Sequence, residues 1–353
     1  MAAQPATEDS SSSITYEQLN DLSAEFDDAE TELIRQEVVV KRPLYEKRHK
    51  LISQIPNFWT LVFEQAPPDI DEFIQPSDSS LLLTSLTSLS VSRFEIENGG
   101  KGDPRSLCFR FEFGSNDHFE DKVIEKKFWH RRSRDGWSGL VSEPVEIRWK
   151  KGKDLTGGLL GTVKKVWAAQ QAEAKTKTGD SNPKDLTADE RALKKKIENT
   201  GLGGLSFFAW FGYVGRNVSA EESQEATEKA RKERITRQEG NNSSANDGGE
   251  EDDEEGEDED DENELEIFPE GENLAIAISE DLWPGAIKYF TQAQEQDEVS
   301  DDDFESDADE NDEDERDADA DADAKDGEAK DGKAEGAEEE AEDELPPAKR
   351  RKT

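Results

Sequence analysis

The sequence predicts an α+β fold in which a long helix precedes a four-stranded antiparallel sheet packed with helices, and a disordered acidic tail follows. Three observations predict it: apolar residues at helical spacing over 14–55, apolar and polar residues that alternate farther along the chain, and acidic residues gathered in blocks. We therefore expect a disordered N-terminus over 1–13, a long dimerisation helix over 14–55, an α+β domain over 56–293 and a disordered acidic tail over 294–353.

The long helix is predicted to begin at Thr15, which forms a capping box with Gln18. About 40 helical residues extend roughly 60 Å, too far for a small domain to cover their apolar seam, so a second copy of the chain is the natural partner. Pro43 should kink the helix or end its first part. Two ordinary helices packed on a local core are the alternative. The predicted dimer interface consists of Leu19, Leu22, Phe26, Ala29, Leu33 and Val40.

Four segments alternate in the manner of half-buried strands. The pattern is clearest from Leu107 to Phe113 and weaker over Leu89 to Ile96, Lys122 to His130 and Val145 to Trp149. Sequential strands with short connections predict an antiparallel meander with one face packed on helices. The aromatic segment Leu205 to Val214 is expected to be buried.

Two stretches of the domain are expected to be mobile insertions. Residues 157–204 are rich in Gly and Lys and lack periodicity, apart from a short helix signal from Thr187 to Glu198. Residues 215–264 begin with a predicted charged helix, Ser219 to Glu239, and end in a run of acidic residues. The chain then regains apolar and aromatic residues from Leu265 to Phe290, which should return to the core.

The acidic residues are concentrated rather than spread. The chain has 87 acidic and 44 basic residues, for a net charge of −43; Glu250 to Glu264 contributes −13, Asp297 to Glu344 contributes −23, and the remainder carries only −7. Such a charge repels phosphate and attracts polycations, which argues against a simple nucleic-acid binder. The blocks favour electrostatic capture of Lys/Arg-rich partners, with solvated tails that only maintain solubility as the alternative.

The sequence lacks the motifs that enzymes and metal sites require. Gly157 to Lys165 departs from the order of a phosphate-binding loop, and the three histidines show no metal-ligand spacing. The single cysteine, Cys108, excludes an intramolecular disulfide and fits a reducing compartment. We expect no enzyme activity and no cofactor, and a soluble, intracellular protein, since no apolar run approaches the roughly 20 residues that a membrane span needs.

Two basic clusters stand out in this acidic chain. The C-terminal cluster Lys349, Arg350, Arg351 and Lys352 is typical of a nuclear import signal, so we expect a nuclear protein, with shuttling through the cytoplasm left open. The cluster from Lys126 to Arg134 mixes cations with aromatics. It is interpreted as a strand and turn with Phe128 or Trp129 pointing inward, and a nucleic-acid patch is the alternative.

Four aromatic-rich motifs carry a family resemblance: IPNFW (Ile55 to Trp59), EIRWKKGKDLT (Glu146 to Thr156), SFFAWF (Ser206 to Phe211) and DLWPGAIKYF (Asp281 to Phe290). In order and content they resemble the SET branch of the nucleosome-assembly-protein family. The resemblance implies a headphone-shaped homodimer whose long helices pair and whose α+β "earmuff" domains help to bind core histones. It also implies an acidic C-terminal tail.

The resemblance implies a histone chaperone that shields core histones from DNA and aids nucleosome assembly or disassembly. It makes Glu270, Glu272, Glu280 and Asp281 the candidates for a structured acidic surface. The alternative is a nuclear regulatory protein that inhibits or stimulates a partner enzyme, a phosphatase or a histone acetyltransferase. Neither reading involves sequence-specific nucleic acid or a membrane. The aromatics interpreted as core supports are Phe207, Phe208, Trp210, Phe211 and Trp283.

Overall fold

A long N-terminal helix leads into a four-stranded antiparallel sheet that is covered by shorter helices. This computed structural model describes residues 15–174, 186–200, 204–240 and 265–296. Within these ranges the predicted α+β class is confirmed. The predicted N-terminus 1–13 and both acidic blocks lie outside the described residues.

Helix α1 spans Tyr16–Ile52 and is about 55 Å long at 1.5 Å per residue. The predicted capping box is present: the Gln18 amide donates to Thr15 Oγ1 over 3.3 Å, and the Thr15 amide donates to Gln18 Oε1 over 3.2 Å. Pro43 lies inside the helix and does not end it, contrary to one of the two predicted outcomes. One lost hydrogen bond is outweighed by the contacts that hold the last turns of α1 to the domain.

The sheet is a meander in the order β1–β2–β3–β4, with every neighbouring pair antiparallel. Its second strand matches the predicted alternation, because Phe109 and Phe111 are fully buried while Arg110 faces solvent. The strands are β1 Leu86–Ser92, β2 Leu107–Phe113, β3 Val123–Arg132 and β4 Ser138–Ser142. Three short helices lie between α1 and β1: α2 Phe58–Glu64, α3 Pro68–Asp71 and α4 Pro76–Ser85.

The fourth strand is not the segment that the alternation indicated. Val145 to Trp149 lies outside the sheet and makes one isolated antiparallel bridge, between Trp149 and Phe119. The Val145 amide donates instead to the Phe211 carbonyl over 2.8 Å, and the Trp149 ring lies 5.7 Å from the Phe208 ring, so this segment packs on the aromatic segment. A tight turn at Gly136, with φ of +97°, lets β4 follow β3 directly.

The aromatic segment forms the centre of the core as a 3₁₀ helix, Phe207–Gly212, and all five residues from 207 to 211 are fully buried, as predicted. Trp210 lies 5.1 Å from Phe109 and 5.3 Å from Phe128, ring centroid to ring centroid. Asp78 fixes the start of the segment, since its carboxylate accepts hydrogen bonds from Ser206 Oγ (2.6 Å) and from the Phe207 amide (2.7 Å). Burial raises the pKa of Asp78, and these hydrogen bonds oppose the shift.

The predicted mobile insertion over 157–204 is described only at residues 157–174, 186–200 and 204. They contain α5, Leu159–Ala174, and α6, Ala188–Thr200, which pack together. Apolar side chains of both helices enter the core. The buried residues are Leu159, Leu160, Val163, Val166 and Leu193. Their spacing is helical, but the neighbouring glycines and lysines obscured it. The predicted capping box at α6 is present, with the Glu190 amide donating to Thr187 Oγ1 over 3.2 Å.

Residues 215–264 were expected to be a second mobile insertion, and their described part is a helix, α7, at Ala220–Gly240. Ion pairs rather than apolar packing hold most of α7, since Ala226 is its one buried residue among those described. This polar attachment explains why the sequence gives a helix signal without an apolar face.

The last described segment returns to the core as predicted. It forms α8, Gly271–Ala277, a π-helical turn at Ile278–Leu282 and α9 at residues 286–296. Trp210 Nε1 donates to the Gly271 carbonyl over 2.9 Å, which ties the segment to the aromatic centre.

The cation in the middle of β3 was not predicted to be internal. Lys126 is fully buried, and its Nζ donates to the carbonyls of Glu143 (2.9 Å), Phe211 (3.1 Å) and Tyr213 (2.6 Å). Burial lowers the pKa of Lys126 to about 7, and the charge of Glu266 opposes the shift. Period-two alternation places residue 126 on the core face with Ile124 and Phe128. The strand pattern therefore predicts that this residue is buried, although a lysine is usually exposed.

We expect the stability of the wild type to rise with pH relative to Lys126→Met. The pKa of Lys126 is about 7 in the folded state against 10.5 ordinarily, so between these values the unfolded chain binds more protons and alkali favours folding. The difference in unfolding free energy should grow by roughly 1 kcal/mol per pH unit. Denaturant titrations from neutral to alkaline pH measure it. Lys127→Met, on the opposite face of β3, is the control; parallel profiles for both variants would contradict the assignment.

Trp210→Ala should lower the free energy of unfolding by about 3–5 kcal/mol, because it leaves a cavity among buried aromatics. Urea denaturation followed by circular dichroism measures the loss. Trp129→Ala removes a half-buried indole outside the core and should cost well under half as much. Equal losses would mean that the aromatic segment is not the centre of the core.

Candidate functional site

The four carboxylates predicted as an acidic surface all lie in the last described segment, but they do not form one cluster. Glu270 precedes α8, whereas Glu280 and Asp281 lie in the π-helical turn at its other end. Ten residues of helix place Glu270 and Glu280 about 15 Å apart. The structure therefore divides the predicted surface into two sites, and assigns Glu272 a third environment.

Glu270 lines a shallow cleft of about 400 Å³ with two acidic residues of the α3 region, Asp69 and Glu72. Phe73 and Ile276 contribute apolar surface to the same cleft. Glu270 is exposed and accepts a hydrogen bond from Asn273 Nδ2 over 2.5 Å. A carboxylate rim over an apolar floor suits a lysine or arginine side chain, whose stem is apolar and whose head is charged. Sequence reasoning missed Asp69 and Glu72, since they are about 200 residues from Glu270.

Glu272 is half-buried and structural rather than free. Its Oε1 accepts a hydrogen bond from the Leu140 amide over 2.9 Å, which fixes α8 to β4. Burial raises the pKa of Glu272, and the Leu140 hydrogen bond and the charge of His130 oppose the shift. This carboxylate is already committed within the domain, unlike Glu270.

Glu280 borders a groove between α1, β1 and the π-helical turn, and Asp281 follows it in the same turn. Glu280 is exposed and lies 4.0 Å from Arg93 Nη2, while Asp281 Oδ1 accepts a hydrogen bond from the Tyr289 hydroxyl over 2.8 Å. The groove has a volume of about 680 Å³ and its rim carries both signs of charge. Its acidic residues are Glu37, Glu46, Glu97 and Glu280, and its basic residues include Lys41, Arg42 and Arg93.

Arg48 anchors α1 across the floor of this groove. Its Nη1 donates to the carbonyls of Trp283 (2.6 Å) and Pro284 (3.2 Å), and its guanidinium lies 4.6 Å from the Trp283 ring and 4.8 Å from the Tyr45 ring. Burial lowers the pKa of Arg48. Trp283, predicted as a core support, is therefore a half-buried support for α1.

Helix α1 presents three faces, which lie roughly 120° apart at about 100° per residue. The first, the domain face, carries Ile34, Val38, Tyr45 and Ile52 toward the groove. The second, the apolar stripe, is the predicted dimer interface: Leu19, Leu22, Phe26, Ala29, Leu33 and Val40, all exposed. The third, the acidic stripe, carries Asp21, Glu25, Asp28 and Glu32.

The apolar stripe is exposed to a degree that a single chain does not explain. Phe26 is 64% exposed, Leu33 62% and Val40 69%. Large apolar residues repeated along one helix face are rarely left in water and mark an interaction surface.

The acidic stripe is partly covered by α7. Arg234 Nη2 lies 2.5 Å from Asp28 Oδ2, and Arg237 Nη2 lies 2.9 Å from Asp21 Oδ1. The acidic spacing of four, three and four residues was readable from the sequence, but the distant arginines that meet it were not.

Charge is also divided along α1. Residues 16–34 contain seven acidic residues and no Lys or Arg, whereas residues 35–52 contain six Lys or Arg and two acidic residues. Two such helices attract each other when they run antiparallel and repel when they run parallel.

Several predicted features cannot be placed. The basic cluster Lys349 to Lys352 and both acidic blocks lie outside the described residues. Within the described ranges, no three His, Cys, Asp or Glu side chains come close enough to bind a metal ion. No helix in those ranges has the length and apolar character needed to cross a membrane.

Comparisons with known proteins found relatives by sequence and by structure. Protein SET of Drosophila melanogaster is 34% identical over 127 residues, 34% of this chain and 43% of the relative. NAP1-related protein 1 of Oryza sativa subsp. japonica is 26% identical over 267 residues, 75% of this chain and 67% of the relative. The chain spans about half the length of the curated relatives that it matches at 32–34% identity. A crystal structure of Vps75 aligns with 22% identity and a TM-score of 0.47, covering 79% of this chain and 98% of that one.

A family model described as nucleosome assembly protein (NAP) matches residues 11–293. That range includes the described α1, the sheet, the aromatic segment and nearly all of the last described segment. The chain therefore belongs to the nucleosome assembly protein family.

Proposed function

We propose that this protein is a histone chaperone, which binds core histones, keeps them from unproductive contact with DNA and aids nucleosome assembly and disassembly. Family membership supports the proposal, and the charge distribution carries it: two blocks hold −36 of the net −43 and leave the rest of the chain close to ordinary in charge. Core histones are basic, and dense carboxylates compete with DNA phosphates for the same cations. No bond is made or broken in this activity.

The proposed division of labour follows from the two kinds of acid. The acidic blocks supply long-range attraction, which raises the rate of encounter and falls with salt. The folded surface supplies carboxylates at fixed positions, and the cleft of Asp69, Glu72 and Glu270 is its best candidate, because the rim is acidic and the floor apolar. Glu280 and Asp281 are secondary candidates beside a groove of mixed charge, and Glu272 acts by holding the domain together.

We further propose that the working unit is an antiparallel homodimer formed by the apolar stripes of two α1 helices. The exposed side chains provide the apolar seam, and antiparallel pairing sets the acidic half of each helix against the basic half of its partner. The domain face and the groove stay clear of this seam. Two copies also raise the effective concentration of acidic surface for a cargo of several histones.

Nuclear import through Lys349, Arg350, Arg351 and Lys352 completes the proposal, since histones act in the nucleus. The alternative function, regulation of a nuclear phosphatase or histone acetyltransferase, needs one stoichiometric enzyme partner. Pull-down from nuclear extract at moderate salt separates the two: histones as dominant partners support the chaperone, and a single enzyme supports the regulator.

Phe26→Asp should weaken dimerisation at least about tenfold, because a buried phenylalanine contributes about 1.5–3 kcal/mol and a symmetric interface loses it twice. Sedimentation velocity over a concentration series measures the change. Ser23→Asp adds the same charge at an exposed position outside the stripe and should have little effect. Monomeric wild type at micromolar concentration, or equal effects of both variants, would contradict the proposed interface.

Histone binding should survive removal of the tail and then depend on the cleft. A chain ending at Gln296 should bind labelled core histones more weakly and with a shallower salt dependence than the full chain. Adding Asp69→Asn, Glu72→Gln and Glu270→Gln should weaken binding by roughly a further three- to tenfold, if each lost charge contributes a few tenths of a kcal/mol.

The matched control is Asp117→Asn, Glu120→Gln and Glu146→Gln, which removes three exposed charges elsewhere. Fluorescence titration at physiological salt compares all chains. Complete loss of binding on truncation would make the tail the binding element, and equal effects of the two triple variants would remove the cleft from the proposal.

A further inference from the structure

Helix α7 is a charge-separated helix that lies against oppositely charged parts of the same chain. Residues 220–228 contain four acidic residues and no Lys or Arg, whereas residues 229–237 contain five Lys or Arg and one acidic residue. The acidic half lies near the turn that follows β3, where Glu225 pairs with Arg134 over 3.1 Å. The basic half lies on the acidic stripe of α1 through Arg234 and Arg237. The two helices run antiparallel, since Arg234 meets Asp28 and Arg237 meets Asp21.

The contact between α7 and the acidic stripe is ionic and has little apolar support. Ile235, between the two arginines, is 43% exposed. Ion pairs at a protein surface are individually weak and are screened by salt, because each competes with water for the same groups. The helix is therefore held well enough to cover the stripe and loosely enough to be displaced.

The covered surface has the chemistry of a cargo site. Asp21, which pairs with Arg237, is 16% exposed at its side chain, whereas Asp28, which pairs with Arg234, is 68% exposed, so the cover is most complete at the Asp21 end of the stripe. A row of carboxylates along a helix suits a second helix that carries guanidinium groups at intervals of three or four residues, and this is how α7 presents Arg234 and Arg237. Helix α7 therefore indicates the class of ligand that the acidic stripe suits, a helix that bears arginines.

We propose that α7 is an autoinhibitory helix, which occupies the acidic stripe of α1 in place of an arginine-bearing helix of a histone and is displaced when the histone binds. The proposal rests on the proposed chaperone function and adds a regulated surface to it. The apolar stripe lies on another face of α1, so α7 leaves the proposed dimer seam open. Any change that weakens the α7 ion pairs exposes more of the stripe to cargo.

The first test compares the affinity of full-length chains for labelled core histones at low salt. Arg234→Ala with Arg237→Ala should raise affinity about threefold, as expected if the stripe is open in about a third of wild-type molecules. Lys229→Ala with Lys232→Ala removes the same charge from α7, but these lysines pair with Glu233 and Glu228 of α7 itself. The control should therefore show a smaller gain, and the difference between the pairs should vanish at high salt.

The second test measures displacement directly. Spin labels at Ser23 on α1 and Thr236 on α7, both exposed, should give a short, narrow distance distribution that lengthens when histones bind. Equal affinities for the two alanine pairs, or an unchanged distance in the histone complex, would overturn the autoinhibitory role while leaving the chaperone function standing. Absence of histone binding by every chain would overturn both, and the label distance in the free protein would still report whether α7 lies on α1.

Discussion

The packing of the aromatic segment 207–211 between the sheet and α8 is the interaction on which the rest of the structure depends. Trp210 contacts strands β2 and β3 on one side and donates a hydrogen bond to the first residue of α8, Gly271, on the other. Two buried ionisable groups fix its ends: Asp78 accepts hydrogen bonds from the Ser206 hydroxyl and the Phe207 amide, and Lys126 donates to the carbonyls of Phe211 and Tyr213. Because buried charges are costly unless hydrogen bonds surround them, both groups specify one arrangement of the segment. The surface carboxylates of the last described segment are positioned by this packing.

The charged residues divide the molecule into parts of different net charge. The acidic blocks hold most of the net charge, while the remaining chain is close to neutral and places opposite charges in separate zones. The charge zones of α1 favour antiparallel pairing of two α1 helices. The charge zones of α7 hold that helix in place through ion pairs, because apolar packing contributes little. A protein whose proposed cargo is strongly basic thus contains basic segments that pair with its own acidic residues.

Local patterns predicted the elements better than their assembly. The capping box at Thr15, the alternation from Leu107 to Phe113 and the buried aromatics were legible because each depends on neighbours in sequence. The strand at Ser138–Ser142 was missed because alternation reports burial on one side and not hydrogen bonding to a neighbour. The acidic cleft joins residues about 200 positions apart. In the sequence, Glu272 is indistinguishable from its exposed acidic neighbours, because its hydrogen bond from the Leu140 amide comes from a distant strand. Tertiary partners of charged residues leave no local signal.

Helix α1 has one further property that follows from its three faces. Each face addresses a different neighbour, and one added or deleted residue turns everything beyond it by about 100°. An insertion near the middle of α1 would then turn the apolar row of the N-terminal half away from the seam and its carboxylates away from α7. Lengthening by seven or eleven residues returns the faces nearly to register. Substitutions that keep the character of each face are therefore compatible with this arrangement, whereas insertions and deletions are compatible only in steps of about seven or eleven residues.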